Sequence, residues 1–181
     1  LSEVTFKILH LDFWKNKKIF ITGHSGFKGS WLTLFLKELD CEIFGYSLEP
    51  ETQPNAFEIF NLNKICKSIF DDTRNIDVLK KTINDFHPDI VIHLASKPLV
   101  RYSYQYPIET YSTNVMGLMN LLESCRNLKN KCSILNVTSD KCYFNNQTKS
   151  TFKESDPLGG NDIYSSSKAC AEILSHSYQH S

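Results

Sequence analysis

Lys18-Ile19-Phe20-Ile21-Thr22-Gly23-His24-Ser25-Gly26-Phe27-Lys28-Gly29-Ser30-Trp31-Leu32 (18–32) reads as strand, tight turn and helix in immediate succession. Residues 18–22 are a short apolar, β-rich run. Three glycines follow at G-x-x-G-x-x-G spacing. Over 31–39 the apolar side chains Trp31, Leu32, Leu34, Phe35, Leu36 and Leu39 predict a well-buried helix. A glycine turn between a strand and a helix suits the diphosphate of a dinucleotide. Glycine permits the tight turn, lets phosphates approach the backbone, and allows the helix to pack close to the strand. The start of the helix then offers unpaired N–H groups to the phosphates. Gly23, Gly26 and Gly29 are the candidate residues. Their spacing differs from the G-x-G-x-x-G of ordinary dehydrogenases.

Outward from this unit, strands and helices alternate. Residues 41–46 form a second strand. Residues 49–63, with Pro50 and Pro54, read as loop with room for one helical turn. A third strand lies at 68–70, and a helix over 76–86 is stopped by Pro88. Residues 89–94 are a near-continuous apolar run, as expected of a central parallel strand covered on both faces. A long helix over 108–127, a fifth strand over 133–138 and a helix over 163–179 complete the pattern. Such alternation predicts an α/β fold with a doubly wound parallel sheet, Rossmann-like, over residues 1–181.

Composition narrows the function. Lys+Arg and Asp+Glu number 20 each, so the zero net charge provides no basic footprint for nucleic acid or for a membrane surface. No apolar run approaches the ~20 residues that span a bilayer. Asp12, Lys15, Lys17 and Lys18 interrupt any signal-peptide core. The six cysteines include no C-x-x-C pair, which argues against a metal site or redox motif. With an ordinary composition they read as reduced thiols of a cytoplasmic protein.

Two constellations carry chemistry. Tyr164 and Lys168 stand at i and i+4 on a predicted helix, hence on one face. A neighbouring ammonium favours phenolate, so the pair can hold a general base for an alcohol. Ser139-Asp140-Lys141 follows the fifth strand at its carboxyl end, where open α/β sheets bind ligands. Ser139 could bond a reacting hydroxyl, with Asp140 and Lys141 an acid and a base side by side. An acidic residue at the end of strand two would take the ribose hydroxyls. Here that end reads Gly45-Tyr46-Ser47-Leu48 and Glu49 comes late, leaving NAD and NADP open. The absence of Arg or Lys around Tyr46 leans toward NAD. Asp71-Asp72-Thr73-Arg74 offers carboxylates for an adenine amino group, or equally a solvated turn that caps a helix.

The strings F-W-K-N-K-K-I-F-I-T-G-H-S-G-F-K-G-S-W-L (13–32), H-L-A-S-K-P-L-V-R-Y-S-Y (93–104), T-S-D-K-C-Y (138–143) and D-P-L-G-G-N-D-I-Y-S-S-S-K-A-C-A-E (156–172) resemble the extended short-chain dehydrogenase/reductases. Among them, T-S-D-K-C-Y is most similar to the dehydratases that act on CDP-glucose. The resemblance implies bound NAD, with Gly23, Gly26, Phe27, Gly29, Asp72, Thr73, Leu94, Ala95, Tyr164 and Lys168 around it. It implies that Tyr164 deprotonates the sugar 4-hydroxyl, Lys168 holds the ribose and tunes Tyr164, and Ser139 assists. Lys141 would remove the C5 proton and Asp140 would protonate the departing 6-hydroxyl. It further implies a homodimer through the helices at 108–127 and 163–179. Family members run to roughly twice this length, so the chain is expected to be the cofactor-binding part without the sugar-nucleotide region. A 4-epimerase of the same family and a catalytically silent NAD-binding module are the competing readings.

Overall fold

Five parallel strands in the order β3-β2-β1-β4-β5 form the centre of the computed structural model, which describes residues 11–145 and 151–181. The strands are β1 (Lys18–Thr22), β2 (Glu42–Ser47), β3 (Lys67–Phe70), β4 (Ile90–His93) and β5 (Ser133–Asn136). The helices are α1 (Leu11–Trp14), α2 (Phe27–Glu38), α3 (Ala56–Ile59), α4 (Ile76–Phe86), α5 (Val100–Gln105), α6 (Pro107–Tyr111), α7 (Gly117–Arg126) and α8 (Ile163–Gln179). Each strand pair is parallel, with β1 paired to β2 from Lys18↔Glu42 to Thr22↔Tyr46 and to β4 from Ile19↔Ile90 to Thr22↔His93. The sheet is thus the doubly wound α/β architecture that the alternation predicts.

Side chains of a strand point alternately to opposite faces, so β1 feeds two cores. Phe20 joins Tyr46, Leu79, Ile83, Phe86, Val91 and Leu121 on one side. Ile19 and Ile21 join Leu36, Ile43 and Ile92 on the other. Fully burying such a side chain contributes roughly 1.5–3 kcal/mol. α4 begins where the Asn75 side chain accepts from Val78 N and ends at His87 in a left-handed conformation.

Several sequence expectations change. α2 starts at Phe27, four residues before the predicted start, because Gly26 already adopts the extended conformation of a cap. Gly29 therefore lies in the first helical turn. The helix is buried on one stripe only. Gly29, Ser30, Thr33 and Leu36 face inward, while Trp31 and Phe35 are half exposed and Trp31 packs edge-on against Phe60. Residues 49–63 hold α3, capped by Asn55 Oδ1 accepting from Glu58 N at 2.8 Å, and a further short turn at Leu62–Lys64. The long helix expected over 108–127 is present as one uninterrupted helical run from Pro107 to Arg126, but its hydrogen bonding changes within it. Pro107 opens α6, and a π-helical turn at Ser112–Met116 separates it from α7. β5 stops at Asn136 and lies at the sheet edge, leaving Leu135 exposed. All six cysteines are free thiols. Among the described residues no helix is long and apolar enough to cross a membrane.

Candidate active site

β1 occupies the position at which the strand order reverses, with β2 on one side and β4 on the other. The crevice beyond its carboxyl end is where such sheets take ligands. The turn that leaves β1 is held from beneath. Thr22 Oγ1 accepts from Leu94 N and Ala95 N at 3.2 and 3.3 Å and lies 2.7 Å from His93 Nδ1. With two N–H groups on that oxygen, the hydroxyl proton goes to His93 Nδ1, and the ring carries its own proton on Nε2. Gly23 then turns at φ 75° and donates to the Tyr46 carbonyl at 2.8 Å. A Cβ there would lie 2.7 Å from Ala95 N. At Gly29 a Cβ would lie 2.1 Å from the Gly23 oxygen, so the helix can approach the turn only without one.

His24 anchors the turn and was not singled out by the sequence reading. Its ring is fully buried between Ser47 Oγ (3.0 Å from Nδ1) and Ser68 Oγ (2.9 Å from Nε2), stacked on Phe70. Gly45 in β2 makes room for it, since a Cβ would sit 2.2 Å from the ring. A glycine inside an apolar strand, beside a histidine in the turn, was the available signal. Burial drives His24 down to about 4, against the Tyr46 backbone hydrogen bond, and drives His93 down to about 3, helped by the Lys168 charge. Both histidines fold neutral and unfold to a group that takes a proton near the ordinary value of 6.5. Their contribution is complete above pH 6.5 and is lost as pH falls toward the folded values. For His24 this amounts to about 3 kcal/mol. Denaturant midpoints measured across this range are expected to begin falling well above the carboxylate range. A midpoint flat down to pH 4.5 would refute neutral burial of His24.

One groove of about 670 Å³ runs over these carboxyl ends. Its wall takes Gly23, Gly26, Phe27 and Gly29 from the turn, Asp72 and Thr73 after β3, and Leu94 and Ala95 after β4. Tyr164 and Lys168 line it from α8. Asp72 is engaged by Arg74, which donates from Nη2 at 2.6 Å and from Nε at 3.0 Å. Those bonds hold its carboxyl below the usual carboxylate range. Glu49 and Glu51 also reach the groove, and Glu51 pairs with Lys97 at 3.3 Å. Thr113, in the π-helical turn, lines the groove with a buried hydroxyl that has no partner among the described residues.

Asn114 ties the segment after β4 to the helix that bears Tyr164 and Lys168. It accepts from Lys97 N at 2.7 Å and donates to Ser167 Oγ at 2.9 Å. Ser167 Oγ in turn donates to the Tyr164 carbonyl at 2.7 Å. The sequence reading missed Asn114 because its partners lie 17 and 53 residues away. Asp162 caps α8 by accepting from Ser165 N at 2.9 Å. Tyr164 and Lys168 are both buried, 8% and 6% exposed, and share the groove-facing side of α8. Desolvation lowers the Lys168 ammonium to about 8, opposed by Glu172 and reinforced by Lys28.

Asp140–Cys142 form a single turn that packs against α8, with Cys142 buried. Ser139 caps it, accepting from Lys141 N at 3.3 Å and donating to Asp140 Oδ1 at 3.1 Å. Gly159 N donates to the Cys142 carbonyl, and Phe144 N to the Pro157 carbonyl, each at 2.8 Å. These bonds fasten the turn to the segment that leads into α8. The turn does not line the groove itself, and Asp140 and Lys141 are exposed beside it.

The chain matches the GDP-mannose 4,6 dehydratase family over residues 20–181. It is 47% identical over 170 residues to CDP-glucose 4,6-dehydratase of Salmonella typhimurium, covering 94% of this chain and 47% of that protein. It is 32% identical to Protein CapI of Staphylococcus aureus, over 90% of this chain and 50% of that one. The UDP-Glc/GlcNAc 4-epimerase structure from Campylobacter jejuni superposes with TM-score 0.80 at 25% identity, covering 91% of this chain and 50% of that chain. The chain thus spans about half the length of the curated relatives it matches.

Proposed function

This chain belongs to the GDP-mannose 4,6 dehydratase family, and from that premise we propose that it forms the NAD-binding part of a CDP-D-glucose 4,6-dehydratase. The reaction would convert CDP-D-glucose to CDP-4-dehydro-6-deoxy-D-glucose with loss of water. The observation that carries this reading is the docking of the Ser139–Lys141 turn on the helix that bears Tyr164 and Lys168. The substrate is taken from the Salmonella relative. The acid–base pair Asp140-Lys141 favours dehydration over epimerisation, because a 4-epimerase loses no water.

The groove suits a dinucleotide. Its volume falls in the range of small-molecule sites. The turn brings backbone N–H groups to it, and the Thr113 hydroxyl is left for a ligand or water. NAD, when bound, would accept hydride from the sugar C4 and return it to C6. Glu49 and Glu51 favour ribose hydroxyls over a 2′-phosphate by charge.

The chain's own residues would act as follows. Tyr164 takes the proton of the 4-hydroxyl. Lys168 holds the nicotinamide ribose from the same face of α8. Ser139 bonds the 4-oxygen. A ketone at C4 acidifies the C5 proton, which Lys141 removes as Asp140 protonates the departing 6-hydroxyl; Lys141 then returns the proton to C5 when hydride reaches C6. A neutral Lys141 beside a protonated Asp140 requires a dry site. Both are exposed in the structure, so the sugar nucleotide and the segments covering it would exclude the water. The cytidine and most sugar contacts would come from what the relatives carry beyond the matched half, and the complete protein would work in the cytoplasm as a homodimer.

Incubating the complete gene product with CDP-glucose and NAD tests this. The expected product is the 4-keto-6-deoxy sugar nucleotide. A product that keeps its 6-hydroxyl and is inverted at C4 would instead establish an epimerase. Fluorescence titration of the 181-residue chain with NADH is expected to show binding, with little or no turnover by that chain alone.

A further inference from the structure

The face of α8 that carries Tyr164 and Lys168 continues one turn further to Glu172. This carboxylate accepts a hydrogen bond from Thr138 Oγ1. Thr138 lines the groove and immediately precedes Ser139. One residue earlier, Val137 offers its carbonyl to Lys168 Nζ at 3.4 Å. Three side-chain bonds thus join the end of β5 and its exit to α8: Asn136 Nδ2 donates to Ser175 Oγ at 3.0 Å, Lys168 Nζ to the Val137 carbonyl, and Thr138 Oγ1 to Glu172. The Lys168 bond is long, at 3.4 Å, whereas the Glu172 bond sets a carboxylate on a hydroxyl, a charge-assisted pair stronger than a neutral one.

We propose that Glu172 is a positioning residue: it fixes the exit of β5, and with it Ser139, against the Tyr164–Lys168 face, and it holds the Lys168 ammonium charged within the groove wall. This rests on the dehydratase reading for what the two walls do together, but not for the contacts themselves. The electrostatic half follows from what surrounds Lys168. Tyr164 and Glu172 face it from its own helix, Lys28 from α2, and His93 from β4, while the segment just after β5 supplies the Val137 carbonyl. His93 is neutral and Lys28 is a like charge. Among the described residues that face Lys168, Glu172 therefore supplies the negative charge, and it opposes the desolvation that lowers Lys168.

Two substitutions separate the geometric and electrostatic roles in the complete gene product. E172Q keeps an oxygen to accept from Thr138 and removes the charge. T138V keeps the charge and removes the bond. In E172Q the titration midpoint of Lys168 is expected to fall by about one pH unit. Heteronuclear NMR of lysine-labelled protein reads this midpoint, with K168R identifying the signal. The basic limb of the kcat profile should move down with it. In T138V the Lys168 midpoint should stay in place while kcat falls roughly tenfold, the scale of a small misplacement of reacting groups. An unmoved Lys168 midpoint in E172Q would overturn the electrostatic role, and unchanged kcat in T138V would overturn the geometric one. Failure of the wild-type protein to dehydrate CDP-glucose would refute the activity assignment instead, while the Lys168 midpoint would still decide the role of Glu172.

Discussion

Replacing Tyr164 by phenylalanine is expected to lower kcat by about 10²–10⁴, the usual worth of a positioned general base, with NADH affinity changed by less than about threefold. The substitution deletes one oxygen. The ring is buried against the groove and keeps its packing, and the cap of α8 at Asp162 is untouched. The bond between Ser167 Oγ and the residue-164 carbonyl is made by backbone and survives. Stability should therefore move by less than about 1 kcal/mol. What is lost is the only group that the proposed chemistry uses to take the 4-hydroxyl proton. K168M should differ in kind. It removes a charge that would hold the cofactor ribose, so affinity for NADH and kcat should fall together. A Y164F protein that turns over within tenfold of wild type would remove Tyr164 from the proposed proton transfer.

The sequence makes the β1 turn, the Tyr164–Lys168 pair and the parallel α/β order legible because each depends on short spacing. A strand of five residues, three glycines and an i,i+4 pair are local patterns. The structure departs where the determining contact is distant. Nothing near Trp31 signals that Phe60 lies against it in place of the sheet. The apolar rhythm over 108–127 predicts one long helix, and the helical run does continue from Pro107 to Arg126, but the rhythm carries no signal for the π-helical turn inside it that places Thr113 at the groove and Asn114 against Lys97 and Ser167. His24 looks like a spacer between glycines until Gly45 and Ser68 are seen across the sheet. The glycine turn after β1 was therefore readable as a motif. The histidine that anchors it, and the Asn114 and Glu172 links between walls, depend on tertiary packing that spacing alone does not encode.

Gly29 and Gly26 belong to the same motif but should fail in opposite ways when changed to alanine. At Gly29 the new methyl would lie 2.1 Å from the Gly23 oxygen and 2.7 Å from the His24 Cα. Both neighbours are backbone, so no side chain can rotate away. Relief requires moving α2 off the turn, which breaks the fit of His24 among Ser47, Ser68 and Gly45. G29A is expected to lose about 3 kcal/mol of stability or more, the upper range of overpacking penalties. At Gly26 the methyl would meet only the Gly23 oxygen, at 3.4 Å, and its φ of −74° suits any residue. G26A should fold with stability changed by less than about 1 kcal/mol. Its methyl, however, projects where a diphosphate would approach the backbone, so NADH binding should weaken by about tenfold or more. Paired denaturation and NADH titration of the two variants distinguish a glycine needed for packing from one needed for the ligand. If G26A bound NADH as tightly as wild type, the diphosphate would not rest against this turn, and the proposed placement of the cofactor would be wrong.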